Sequence, residues 1–261
     1  MKVIIIPNYE KDGTKTILSS LQSVLDDNKI EYIVSDSVDN NDNYDVIITI
    51  GGDGTIIHAA KAGAILDIPI LGINAGRIGY LASISSDELL LFSRLKTGDY
   101  FTEERMLLEV EHNGQVYNCL NEAVISKGSL SRMIDIDLCV DNSVFSYRAD
   151  GVIASTPTGS TAYSMSAGGP VVDPSLDLFI ITPICSNSLY DRPIILNGDS
   201  VINVNTDGPQ GAEVFLTIDG EFSVKIESGD SLKIKRAKHT VKLIKIKDSS
   251  FYETLSEKMR G

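Results

Sequence analysis

Along the first ninety residues, short apolar runs alternate with amphipathic stretches. Residues 3–7 form one apolar run, while Ile17, Leu18, Leu21, Val24 and Leu25 recur at helical spacing, and residues 31–34 and 46–50 are rich in β-branched side chains. The same pattern predicts a helix over residues 55–66, a strand over 68–73 and a further helix from Asp87 to Lys96. Strands separated by single helices imply parallel pairing in an open α/β sheet. Ligands in such sheets sit beyond the carboxyl ends of the strands, which is where residues 51–55 fall.

From Phe101 onward the period shortens to that of β-strands. Alternating segments are joined by turn dipeptides at Asn113-Gly114, Asp141-Asn142, Asn197-Gly198, Asp219-Gly220 and Gly229-Asp230. Residues 101–247 therefore read as a mainly β domain, following an α/β domain over residues 1–100. The lysines of Lys233-Ile234-Lys235 and of residues 241–247 alternate with apolar residues, as expected on the solvated face of a sheet. Residues 250–259 read as a helix, and the segment 248–261 is expected to pack back on the first domain.

Charge narrows the range of partners. Among 261 residues Asp and Glu outnumber Lys and Arg 36 to 23, a formal charge of −13 that opposes nonspecific binding to nucleic acid or to anionic lipid. No apolar run approaches the roughly 20 residues that span a bilayer. Cys119, Cys139 and Cys185 lack CxxC or Cys/His spacing, so neither a disulfide framework nor a zinc site is suggested, and a reducing cytoplasm fits. A phosphate-rich ligand needs local help in so acidic a chain: backbone N–H groups, a few cationic side chains or a bridging divalent cation.

Three segments carry candidate chemistry. The run Gly51-Gly52-Asp53-Gly54-Thr55 follows a strand and opens a helix, so its glycines and free N–H groups suit an anion. Asp53 among such amides makes sense as a proton acceptor for an attacking hydroxyl or as a metal contact; otherwise it is the helix N-cap. The hydroxyl-rich stretch Thr156-Pro157-Thr158-Gly159-Ser160-Thr161-Ala162-Tyr163-Ser164-Met165-Ser166 suits a loop that hydrogen-bonds and stacks on a polar heterocycle, or a plain Ser/Thr-rich turn. Before it, Arg148-Ala149-Asp150-Gly151 sets a cation beside a carboxylate, and Asn121-Glu122 follows a short strand.

Taken together, these segments resemble the NAD kinase family, in the same order and with similar separations over most of the chain. The hydroxyl-rich motif is specific to that family, whereas the GGDG run is shared with diacylglycerol-type lipid kinases. The resemblance implies a Rossmann-like, phosphofructokinase-like α/β domain, a mainly β domain holding NAD, ATP or a related phosphoryl donor, Mg²⁺, and a homodimer or homotetramer. It implies that Asp53 is the catalytic carboxylate and that Gly51, Gly52, Gly54 and Thr55 belong to the phosphate-donor loop. NAD contacts carried over by position are Gly54, His58, Asn121, Glu122, Arg148, Asp150, Ser160, Thr161, Ala162, Tyr163 and Ser166, with Cys185 in a ligand-facing segment unless it is a small buried apolar residue. No side chain is assigned as a resident metal ligand.

Two positions depart from the family pattern. Asn187 stands near the place where many relatives carry His, and Glu221 follows the Asp219-Gly220 turn where many carry Gln. The competing readings are a lipid kinase built on the same loop, disfavoured because no basic amphipathic stretch is present, and a non-catalytic NAD-binding sensor, which would gain little from a carboxylate beside phosphates.

Overall fold

The computed structural model describes residues 1–39, 43–76, 79–130, 132–208, 212–247 and 250–260. The chain divides into two compact units, one of Met1–Arg105 with His239–Gly261 and the other of Met106–Lys238. Residues 239–247, expected with the β domain, thus belong to the first unit, as do 101–105. The long strand Leu232–Lys245 explains the shift, because its first half pairs with Ile202–Asp207 and its second half lies beside Ile70–Asn74.

In the first unit four parallel strands lie in the order Glu31–Val34, Lys2–Pro7, Val46–Gly51, Ile70–Asn74. The last three bury nearly every side chain, as β-branched runs covered on both faces must. One face carries the helix Thr14–Asp27, whose Ile17, Leu18, Leu21 and Leu25 pack on Val3, Ile5, Val46, Ile48 and Ile50. The helix Asp53–Leu66 buries Ile56, Ile57, Ala59, Ala60 and Ala64, and a side chain at its Gly63 would come within 2.9 Å of Ile70. Strand order reverses at Lys2–Pro7 and Val46–Gly51, so the loops leaving these strands diverge there and leave a crevice. The loop 51–55 opens at that point. The helix expected over 87–96 is a 3₁₀ turn, Leu89–Leu91, running into Phe92–Thr97, and the tail forms the helix Phe251–Met259.

The second unit contains an antiparallel sheet in the order Ile194–Asn197, Leu178–Ile184, Gly151–Ser155, Glu122–Lys127, Val214–Ile218, Phe222–Ile226. The strands Ser143–Ala149, Ile134–Val140, Ile202–Asp207 and the start of Leu232–Lys245 form further antiparallel ladders. Between them lies one apolar core that includes Leu108, Ile125, Ile136, Val152, Phe179, Ile202, Leu216 and Ile234. Asp219 and Gly220 have φ of 49° and 68° and Asn113 and Gly114 have 49° and 80°, the primed two-residue turns that match strand twist. Asp141-Asn142 also joins paired strands, whereas Asn197-Gly198 and Gly229-Asp230 lead into strands that pair elsewhere.

One lysine leaves the pattern expected of a solvated face. Lys233, Lys235 and Lys242 are partly exposed and ion-paired with Glu111, Glu109 and Asp67. Lys245, by contrast, is buried, 4.0 Å from Glu103. The strand end that carries it passes inward toward the carboxyl edge of the parallel sheet, beside Arg105, and burial lowers its pKa.

Candidate active site

The loop 51–55 is built from clearance rather than from left-handed backbone. Gly52 is extended at φ −107° and ψ −170°, and no residue of the loop has positive φ. Any side chain at Gly51 would strike the Thr55 hydroxyl at 2.2 Å, while a methyl added at Gly52 or Gly54 would meet none of the described residues within 4 Å. Asp53 is not the N-cap: Gly52 occupies that place and Asp53 opens the helix, adding a carboxylate to its electropositive end. Its oxygens turn away from the helix, where Oδ2 accepts from the Tyr80 N–H at 2.7 Å and Oδ1 from the Leu81 N–H at 3.1 Å. Gly79 packs against the same carboxylate so closely that a methyl there would lie 1.9 Å from Oδ1. The strand before this segment is tied to the loop, since Ala75 N–H donates to Gly51 C=O at 2.9 Å. His58 lies exposed on the helix, one turn beyond the loop.

In the second unit the pair Asn121-Glu122 is held by a residue that sequence reasoning treated only as a turn. The Asp219 carboxylate accepts from the N–H groups of Leu120 at 2.9 Å, Asn121 at 2.8 Å and Glu122 at 3.1 Å. Burial, and after it the neighbouring Asp219 charge, push the Glu122 carboxyl up to about 7, against the opposing pull of the Tyr163 N–H. Among the described residues the buried Glu122 Oε2 has no hydrogen-bond partner, an unusual state for a buried polar atom.

The hydroxyl-rich stretch divides into two kinds of residue. Thr156 Oγ1 donates to Leu120 C=O at 2.6 Å and accepts from Gly159 N–H, Ser160 bonds Val172, and Ser164 bonds Thr182 at 2.9 Å. These hydroxyls fasten the segment to its own domain, each contributing about 1 kcal/mol. Gly159 sits so close to Asn121 that a methyl would meet its carbonyl oxygen at 2.2 Å. What faces outward is the short helix Tyr163–Ser166, with Tyr163 and Ser166 exposed and Thr161 and Ala162 half-buried beside it. Ser160 is wholly buried, its hydroxyl directed to Val172 rather than outward.

The remaining candidates are dispersed within the second unit. Arg148 pairs with Asp135 at 3.5 Å and Asp150 with Lys127 at 3.2 Å, each with a residue of a neighbouring strand. Cys185 is exposed with φ of 47°, which corrects its reading as a small buried residue. Asn187 donates its N–H to Arg148 C=O at 2.9 Å, and Glu221 closes the Asp219-Gly220 turn through a bond to Ile218 C=O at 3.0 Å.

Gly79, Tyr80, Leu81 and Asp219 were missing from the sequence-based site. For Asp219 a signal existed, because an Asp at the first position of a left-handed turn has its side chain free to cap other backbone groups.

Comparison with known proteins shows the family. Residues 39–92 match the family "ATP-NAD kinase N-terminal domain" and residues 120–246 the family "ATP-NAD kinase C-terminal domain". A curated NAD kinase of Caldicellulosiruptor saccharolyticus is 37% identical over 100% of both chains, and one of Natranaerobius thermophilus is 36% identical over 98% of this chain and 97% of its own. The crystal structure of an NAD kinase from Archaeoglobus fulgidus in complex with ATP superposes with a TM-score of 0.81 at 25% identity, covering 100% of this chain and 99% of that one. The yeast NADH kinase complexed with NADH shares the fold, with a TM-score of 0.85 at 24% identity over 98% of this chain and 85% of that one. The chain belongs to the NAD kinase family, and it is an enzyme that phosphorylates NAD.

Proposed function

We propose that the chain transfers the terminal phosphoryl group of ATP to the 2′-hydroxyl of the adenosine ribose of NAD, with Asp53 accepting the proton of the attacking hydroxyl. The hydroxyl oxygen forms the new P–O bond, the bond to the β-phosphate oxygen breaks, and ADP leaves. The observation that carries this reading is the placement of Asp53, a carboxylate fixed by two backbone N–H groups at the open end of a glycine loop. Two bonds to the reactive side chain fix its position without adding a competing side-chain acid, which is the kind of preorganisation that phosphoryl transfer rewards.

The residues present fit a divalent cation held jointly with substrate. Asp53 supplies one carboxylate, and Mg²⁺ commonly binds through one or two carboxylates together with substrate phosphates. When bound, the cation would neutralise the polyphosphate of the donor. The test is a coupled assay with Mg-ATP and NAD, in which NADP is detected by an NADP-specific dehydrogenase. NADP should form and its rate should drop by more than about 10² in excess EDTA after dialysis. Full activity in EDTA would remove the cation from the reaction.

Glu122 is proposed to accept from the ribose hydroxyls of NAD. Its buried, unpartnered oxygen and its raised pKa both support this role, since such a carboxylate is costly in the free protein and rewarded when a diol arrives. The sign of the pH effect follows from the raised pKa. Between the ordinary carboxyl range and about 7 the folded state binds more protons than the unfolded one, so stability falls as pH rises through that window. Glu122→Gln should therefore stabilise the free protein at pH 8 by about 1–2 kcal/mol and much less at pH 4.5, while weakening NAD binding by about 1–3 kcal/mol. Thermal melts and calorimetry read the two effects. Lower stability at pH 8 with unchanged NAD affinity would place Glu122 outside the site.

Tyr163 and Ser166, with Thr161 and Ala162, are proposed to lie along NAD, with Asn121 near its adenosine half and Asp150 near the nicotinamide end. The chain is further proposed to work in the cytoplasm as a homo-oligomer, a dimer or a tetramer built on the β-rich domain. Leu189 and Tyr190, 86% and 93% exposed there, support an apolar contact. Among the described residues no helix is long and apolar enough to cross a membrane. Light scattering that finds only a 28.3 kDa monomer at full activity would overturn the assembly.

A further inference from the structure

The terminal helix Phe251–Met259 starts from Ser250 with a complete capping box, in which Ser250 Oγ accepts from the Glu253 N–H and the Glu253 carboxylate accepts from the Ser250 N–H. None of its residues is buried, and nine residues are too few to hold a helix in water without docking. Part of it is set off from the domain. A cavity of about 360 Å³ intervenes, with Ser83, Lys245 and Lys247 on one side and Phe251 and Thr254 on the other.

Two contacts from this helix converge on one ring. Phe251 packs against Tyr80 with centroids 6.3 Å apart and planes tilted by 41°, and Lys258 Nζ stands 4.3 Å from the centre of the same ring. Tyr80 is also the residue whose backbone N–H holds Asp53 Oδ2, and its neighbour Leu81 holds Oδ1. Burial, and after it the charge of Asp53, raise the Tyr80 hydroxyl above its usual range, so the ring stays neutral and suited to a cation over its face. The ring is thus held from the terminal helix while the backbone of the same residue holds the carboxylate.

We propose that the terminal helix is a latch that positions the reacting carboxylate, with Phe251 and Lys258 acting on Asp53 through Tyr80. Neither residue touches Asp53 itself; both are positioning residues. The inference rests on Asp53 being the reacting carboxylate. Without the latch the segment 79–81 is less firmly held, and Asp53 spends less time in its working orientation.

The test uses the full chain carrying Phe251→Ala with Lys258→Ala, and Lys258→Ala alone as a surface change that leaves folding intact. In both, kcat should fall, by about fivefold in the double variant, with the KM values for ATP and NAD within about twofold of the parent. Hydrogen exchange at the Tyr80 and Leu81 amides should accelerate, and Lys258→Arg, which keeps a cation over the ring, should restore both readouts. Unchanged kcat would overturn the latch, as would a fall in kcat with the two amides still fully protected. An active Asp53→Asn enzyme would instead overturn the role of Asp53, leaving the exchange result to stand on its own.

Discussion

Asp53→Asn is expected to lower turnover by about 10² or more while leaving NAD affinity within about tenfold of the parent. The amide is nearly isosteric with the carboxylate, and its oxygen can still accept from the Leu81 or Tyr80 N–H, so the loop should keep its shape. What disappears is the proton acceptor and the negative charge available to a cation. NAD binding, proposed to draw on Glu122 and the helix Tyr163–Ser166 of the second unit, should largely survive. Steady-state kinetics alongside calorimetry separates the two. Turnover near that of the parent would take Asp53 out of the chemistry.

A comparable loss is expected from a residue that bears no chemistry at all. Gly79→Ala places a methyl 1.9 Å from Asp53 Oδ1 and 2.6 Å from its carboxyl carbon, distances at which one of the two must move. The segment 79–81 carries the N–H groups that orient the carboxylate, so either displacement removes that orientation. A misplacement of about 1 Å in a reacting group can cost on the order of 10² in rate, and kcat should fall by that much. Gly52→Ala is the contrasting change, because a methyl at Gly52 meets none of the described residues within 4 Å and should leave the unfolding midpoint nearly unchanged. If Gly79→Ala retains parental kcat, the carboxylate is not held where its chemistry requires.

Much of the first domain was legible because its signals are local. Apolar runs at 3–7, 46–50 and 68–73, separated by stretches of helical spacing, form the parallel strands Lys2–Pro7, Val46–Gly51 and Ile70–Asn74, close to their expected places. The tail, read as a helix over 250–259, forms one over Phe251–Met259 that is capped by Ser250 and Glu253. The partners of Asp53 were not legible. Tyr80 lies 27 residues away and contributes a backbone N–H, a group that every residue except proline carries and that leaves no mark in the sequence. Asp219 is likewise 98 residues from Asn121.

The hydroxyl-rich motif shows a different limit. Its composition revealed that many hydrogen bonds would be made, but Thr156, Ser160 and Ser164 make them inward, to Leu120, Val172 and Thr182. Direction depends on the strands behind the segment, and these are set by long-range pairing. Lys245 repeats the lesson, since strand alternation placed it on a solvated face while the long strand Leu232–Lys245 ends in the buried neighbourhood of Glu103 and Arg105. In the glycine loop the structure adds one local reason, since Gly51 gives clearance to Thr55.

One phosphoryl group is expected to pass from ATP to the 2′-hydroxyl of NAD. Phosphorus NMR of the mixture formed from purified protein, Mg-ATP and NAD tests it most directly, because it reports both products and the position of the new ester. One 2′-phosphomonoester of NAD should form for each ADP released, with none formed when NAD is omitted. ADP accumulating with inorganic phosphate and no phosphorylated NAD, or phosphate appearing on a hydroxyl other than the 2′, would contradict it.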